Sequence, residues 1–496
     1  MKFNIKSIIG PSLLLAISSL LSRFLGVYRD HLFAKNFGAS SMLDSYYAAF
    51  RIPDILYAFL IMSSISVVFL PMFQKFKEKK DWDKAWKFTS SVLNSLLILF
   101  GLISITTIIF APSIVNLYVP NFSEAQKELT VFMMRIMMIS PFFFMISSVM
   151  ISVENAFNKF FAQSLAPILY NLGIIGSLFI FKDTLGVKGL AVGVAIGAFL
   201  QMLIQVPFFL QTDFKWSAVF LKGKELSNMI KIVIPRILSV SADQIALTIS
   251  TFLASSLIAG SITVLNLAIN IQSLPFGMIA ISVSITAFAS LTKYSAQDDK
   301  EKFRKTLQLN FEKIMFWLVP SVFGLFIIAN PLIEFLFEYG EFSAKNTVEL
   351  VVLLKIFLIA VIFQGIIPLL SKSFFAYQKT WIVFFLTLVG LTCNVLTSIF
   401  LVQRIGITGL AWGVVVGMSI NAILLIIFSW REYGKIFSFL KIFMIFLMSG
   451  IMFLILKNYL VPQIENLFSL WQILIITIVG GGVYLLGMKN IPKFYE

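Results

Sequence analysis

Cysteine and histidine are almost missing from this chain. Cys393 and His31 are the only examples among 496 residues. A single cysteine excludes an internal disulfide and any cysteine-built metal site. A single histidine excludes His-cluster metal sites and most imidazole acid–base chemistry. Charge is scarce as well, at 13% of residues, against about 25% in soluble domains. No nucleophile–base pair, nucleotide-cradling loop or metal-ligand cluster can be read from the motifs. An ATP-driven pump carrying its own motor is therefore disfavoured, and no cofactor or metal is expected.

What the chain has instead is apolar length. Hydrophobic residues make up 59% of it, and mean hydropathy is +0.93. Apolar runs of about 20 residues recur along the whole sequence, the length a helix needs to cross a bilayer. The expected class is an all-α polytopic membrane protein. Fourteen spans can be drawn, from 8–33 and 40–74 at the start to 437–456 and 468–488 at the end. Pro53 and Pro275 fall inside spans and are expected to kink them. The first apolar run lacks a clear cleavage site and reads as a retained span.

Net charge is +15. With the amino terminus inside, about 22 basic residues fall in inner segments and about 8 in outer ones. Both termini are then cytoplasmic, and much of the positive charge is topology, not a nucleic-acid footprint. Sliding the sequence on itself by 220 positions lays Gly186–Gly193 on Gly406–Gly413 and Phe122-Ser123 on Phe342-Ser343. Asn158-Lys159 then falls on Gln378-Lys379, and Arg135 on Lys355. The predicted organisation is an N-lobe of six spans (1–215), a C-lobe repeating it (222–432) and a two-span appendage (436–496). Repeats of six spans enter the membrane in parallel, and transporters built this way hold substrate between the halves.

The densest charge inside apolar sequence lies between Ser22 and Pro53, with Arg23, Arg29, Asp30, Asp44 and Arg51. Each such charge costs roughly 3 kcal/mol or more at a span centre, so it faces a wet cavity or a partner. Arg23 is placed about 15 Å below the outer end of its span by helical rise. One reading is a cationic cavity wall for an anion, since the guanidinium fork grips phosphate oxygens in pairs. The other is internal pairing, Arg29 with Asp30 and Arg51 with Asp44 or Asp54. Arg236 and Asp243 lie seven apart in span 7 and share a helical face, with Asp243 a candidate for ion or proton coupling. Arg135 and Lys355 read as snorkelling cations, Glu154 as a structural polar contact and Asn394 as a helix–helix hydrogen bond or a cation ligand. The glycines around Gly189 and Gly409 read as close helix packing.

The pattern S-R-x-L-G-x-x-R-D, then F-G-A-S, then F-R-I-P, resembles the amino-terminal signature of the MurJ (MviN) family of lipid II flippases, within the multidrug and oligosaccharidyl-lipid exporters. LFEYGEFSAKNT and KSFFAYQKT resemble loops of the same family. The resemblance implies transport of a polyprenyl-diphosphate-linked glycan, with peptidoglycan precursor favoured, from inner to outer leaflet of the bacterial cell membrane by alternating access. It implies no enzymatic step. The partners would be the lipid-linked substrate, membrane lipids and a coupling ion or the membrane potential. Arg23, Arg29, Asp30 and Asp44 match the family pattern. Tyr57 and Ala58 stand where the family often has an arginine pair, and Asn270 where it has a cavity arginine. Ser63 and Ser250 depart as well. Arg236 could stand in for the arginine lost at Asn270. An exporter of the same fold for another lipid-linked oligosaccharide or a drug is the alternative.

Overall fold

The computed structural model describes residues 5–58, 65–220 and 244–489. Among these residues the structure is helical throughout, with no strand. Among the described residues, eleven helical stretches are long and apolar enough to span a bilayer. The chain is an all-α polytopic membrane protein. It divides into two compact units, Met1–Phe33 with Ala39–Ile262, and Ala34–Gly38 with Thr263–Glu496.

The first unit opens with α1 (Ile5–Phe37), α2 (Ser41–Tyr57), α3 (Ile65–Glu78) and α4 (Trp82–Ile109). Next come α5 (Ala111–Tyr118), α6 (Glu124–Met137) and α7 (Ser140–Ala156). It continues with α8 (Phe161–Leu185), α9 (Lys188–Leu203), α10 (Val206–Leu210) and α11 (Gln244–Ala254). Prolines set several of the breaks. Pro112 and Pro141 open α5 and α7, where a missing N–H costs nothing because first-turn donors have no helical acceptor. The expected span 128–157 matches one membrane span, Glu124–Ala156, broken inside by the short gap between α6 and α7 that apolarity alone did not reveal. The core of the unit is aromatic, with Phe69, Phe73, Trp86, Phe88, Phe100 and Phe144 buried together.

The second unit holds α12 (Ser261–Pro275), α13 (Ser282–Ala296), α14 (Lys300–Phe337) and α15 (Ala344–Ala376). α16 (Thr380–Ile405), α17 (Ile407–Tyr433), α18 (Phe439–Ile455), α19 (Val461–Ile464) and α20 (Ser469–Lys489) complete it. Pro275 ends α12 and a π-helical stretch, Phe276–Ile281, follows it. A proline frees the carbonyl four residues back, and a π turn is one way to absorb that. A second π stretch, Leu456–Leu460, separates α18 from α19.

The same local devices appear in each unit about 220 positions apart. Ser123 and Ser343 each close a capping box. Asp81 and Asp299 each cap a helix and hold the lysine three residues on, Lys84 and Lys302, at 2.7 Å. Asn158 and Gln378 both take left-handed backbone. The hairpins α8–α9 and α16–α17 pack through glycines. An added Cβ at Gly173 would lie 2.6 Å from Gly197, and one at Gly417 would lie 2.7 Å from the Gly390 carbonyl. Small residues let such backbones meet, and dispersion between close surfaces replaces the hydrophobic drive that lipid cannot supply. The packing expected at Gly189 and Gly409 is present, against Phe181 and Leu401.

Candidate functional site

The charged stretch folds where α1 ends and α2 begins. Gly38, in left-handed backbone, closes α1 by donating to the Ala34 carbonyl at 2.8 Å. Ser40 then caps α2 through the Leu43 N–H. These two devices bring Asp44 into the first turn of α2, where the helix dipole favours negative charge.

Arg29 and Asp30 form an ion pair. The Nη2 of Arg29 donates to Asp30 at 2.9 Å and Nε donates at 3.1 Å. Nη1 reaches Asn171 of α8 at 3.3 Å. Asn171 in turn donates to the Ser22 carbonyl and hydroxyl and to the Pro167 carbonyl. Asn171 therefore ties α8 to α1 and orients the guanidinium. Arg29 commits one N–H from each of its three nitrogens, which leaves two of its five donors. Tyr46, Tyr47 and Tyr170 surround it. The buried hydroxyls of Tyr47 and Tyr170 have no hydrogen-bond partner among the described residues.

Asp44 is buried and accepts from the Gly260 N–H at 2.6 Å. Gly260 has φ +94, and a Cβ there would press on the Ala39 backbone. Only glycine suits both demands. Arg51 is buried in α2, one turn before Asp54, whose carboxylate is 3.7 Å away. Tyr118 of α5 lies beside it and also beside Thr251 of α11. Arg23 is half-buried, and no carboxylate pairs with it among the described residues. Of the three arginines in the Ser22–Pro53 stretch, Arg29 is tightly paired, Arg51 lies farther from its carboxylate, and Arg23 has no carboxylate partner among the described residues.

The other sequence candidates fall elsewhere. Asn270 lies on α12 in the second unit, and Ser273 donates to its backbone carbonyl. Arg236 and Asp243 lie outside the described residues. Asn394 accepts from Ser398 on its own helix and packs against Gly413 and Gly417 of α17. The polar contact expected for Glu154 is not there. The residue is buried at the end of α7, and neither carboxylate oxygen has a hydrogen-bond partner among the described residues. The reason is its setting, since α7 packs on the aromatic core around Phe73 and Trp86. Arg135 is exposed and donates to the Ile108 carbonyl, as a snorkelling cation can. Sequence reasoning passed over Asn171, Ser22 and Gly260. Asn171 carried the same signal as the arginines, a polar side chain within an apolar span.

Comparison with known proteins accounts for nearly the whole chain. The family model described as "Lipid II flippase MurJ" matches residues 33–480. A "Probable lipid II flippase MurJ" of Buchnera aphidicola subsp. Acyrthosiphon pisum is 28% identical over 478 residues, covering 94% of this chain and 92% of the relative. The "Probable lipid II flippase MurJ" of Thermotoga maritima is 27% identical, covering 97% and 96%. A solved structure of a lipid II flippase MurJ in an inward closed conformation superposes with TM-score 0.83 at 27% identity, covering 96% of this chain and 98% of that one. An inward-facing multidrug transporter of the MATE family shares the fold at 18% identity and TM-score 0.67, covering 88% and 96%. By the breadth of the family match and these near end-to-end alignments, the chain belongs to the MurJ family.

Proposed function

We propose that this protein moves lipid II, the polyprenyl-diphosphate-linked peptidoglycan precursor, from the inner to the outer leaflet of the bacterial cell membrane. The observation that carries the reading is the family match over residues 33–480. The work is transport, so no bond in the substrate is made or broken. The arrangement is fourteen spans with both termini cytoplasmic, six in each of two repeated lobes (1–215 and 222–432) and two in an appendage (436–496). The recurrence of capping boxes, aspartate caps and glycine hairpins about 220 positions apart supports the duplication.

The chemistry rests on the arginines of the first unit. A diphosphate leaving water needs donors that replace its hydration. Among the described residues Arg23 has no acid to compete with it, and Arg29 keeps two N–H donors. Asp30 and Asn171 hold Arg29 in place, so its ordering entropy is spent before the ligand arrives. The unpartnered hydroxyls of Tyr47 and Tyr170 support a polar occupant, because buried donors left without acceptors are costly. Arg51 beside Asp54, Asp44 as the anchor of the α2 start, and Arg236, Asp243 and Asn270 are the remaining residues assigned to the site. Asp243 is the group proposed for coupling to an ion or proton.

Complementation tests this. In a bacterium depleted of its own lipid II flippase, the wild-type chain restores growth. Arg23→Ala does not, although it reaches the membrane in normal amount. Failure of the wild-type chain, expressed and membrane-inserted, to restore lipid II translocation would overturn the assignment.

A further inference from the structure

One charged cluster of the second unit has no use in the transport reading. Lys355 lies on α15, and its ammonium sits 5.4 Å from the ring centre of Phe326 on α14. Lys457 lies in the π-helical stretch after α18, with its ammonium 6.0 Å from the ring of Phe453. Those rings meet edge to face at 6.1 Å, and Phe323 joins them at 5.9 Å. Two cations from separate elements therefore sit over one aromatic patch. The charged group acting on Lys355 is Lys457, a second cation.

Neither lysine has a carboxylate partner among the described residues. The contrast with neighbours is plain. Lys441, the lysine of α18, lies 3.6 Å from Glu312. Arg135, at the repeat position of Lys355, has its backbone carbonyl. Ring faces attract ammonium groups but do not cancel repulsion between two of them. The π turn that bears Lys457 is itself informative. Such turns are less favourable than the α-helix and concentrate at functional sites. Val352, Leu454 and Tyr459 stand exposed on the same elements, so apolar surface adjoins the cations.

We infer that Lys355 and Lys457 together bind one phosphate of an anionic phospholipid, whose acyl chains lie along this apolar surface. The phosphate sits between two ammonium groups and turns their repulsion into attraction. Because α18 packs on α14, the lipid also fastens the connection between the two appendage helices to α14 and α15. The site takes its ligand from the leaflet on the side of the α14–α15 connection and is separate from the arginines of the first unit.

The test uses the full chain in nanodiscs of phosphatidylcholine alone or with phosphatidylglycerol, followed by thermal unfolding and by native mass spectrometry of retained lipid. Phosphatidylglycerol should raise the unfolding temperature, and the Lys355→Gln/Lys457→Gln variant should lose most of the rise. Its apparent affinity for phosphatidylglycerol should fall by about tenfold or more, as expected on losing charge-assisted contacts. Lys457→Glu supplies an internal partner for Lys355, so this variant should fold and be insensitive to the anionic lipid. An unchanged phosphatidylglycerol response in the Gln/Gln variant overturns the proposal. So does an equal shift from inorganic phosphate in phosphatidylcholine discs, which would make the site one for free phosphate.

Discussion

Arg29 shows how a cation is kept inside an apolar unit. Its charge is matched by Asp30 at 2.9 Å, and its plane is fixed by Asn171 on another helix. Lysine at this position has the charge but a single nitrogen, which cannot reach both partners in fork geometry. Arg29→Lys should therefore lower transport about tenfold, the cost of roughly 1.4 kcal/mol of lost interaction. Asn171→Ala should do the same without altering any charge, and vesicle flipping assays on both variants check it. If Asn171→Ala transports normally, the orienting role is wrong. Asp44 offers a stability counterpart. Asp44→Ala removes a 2.6 Å bond to the Gly260 N–H and a favourable charge at a helix start. The loss should be about 1.5–3 kcal/mol, read as a lowered midpoint in detergent unfolding.

At the level of elements, the glycine hairpins carry the packing. α16 and α17 approach so closely that a Cβ at Gly417 would lie 2.5 Å from the Asn394 side chain and 2.7 Å from the Gly390 carbonyl. Backbone cannot move aside as a flexible side chain can. Gly417→Val should cost about 1–3 kcal/mol through overpacking, with a lower yield of folded protein. Gly101 and Gly450 are helical glycines with open space around the missing Cβ. Alanine there should be neutral or stabilising by a few tenths up to about 1 kcal/mol. Thermal unfolding of the three variants side by side separates contact from propensity. Equal effects at all three would mean that close approach is not what α16 and α17 depend on.

For the whole molecule, the distribution of lysine and arginine predicts which loops share a side. Native Cys393 is first replaced by serine. Single cysteines at Glu124 and Lys345 should then label from outside intact cells. Cysteines at Lys79 and Gln297 should label only after permeabilisation. All four positions are exposed, and the choice leaves the capping serines Ser123 and Ser343 in place. Labelling of Gln297 from outside would reverse the orientation.

Composition and order alone determined the class of this protein. Long apolar runs leave a backbone in lipid no alternative to helix, and proline positions set where some of those helices stop. The caps at Ser123, Ser343, Asp81 and Asp299 were not named from the sequence, although each is a local device that reads only its own next three residues. The arginines of the first stretch could be named as costly, and Asp30 as a partner, since they are neighbours in sequence. Two long-range partners were decided by tertiary structure. Asn171 is 142 residues from Arg29, and Gly260 is 216 residues from Asp44. No local pattern encodes a hydrogen bond across such separations; it exists only once helix packing has brought the two backbones together. The same holds for Lys355, a snorkelling cation by sequence, and for Lys457, which no sequence pattern singled out. Only the packing of α14, α15 and α18 sets both over one patch of rings.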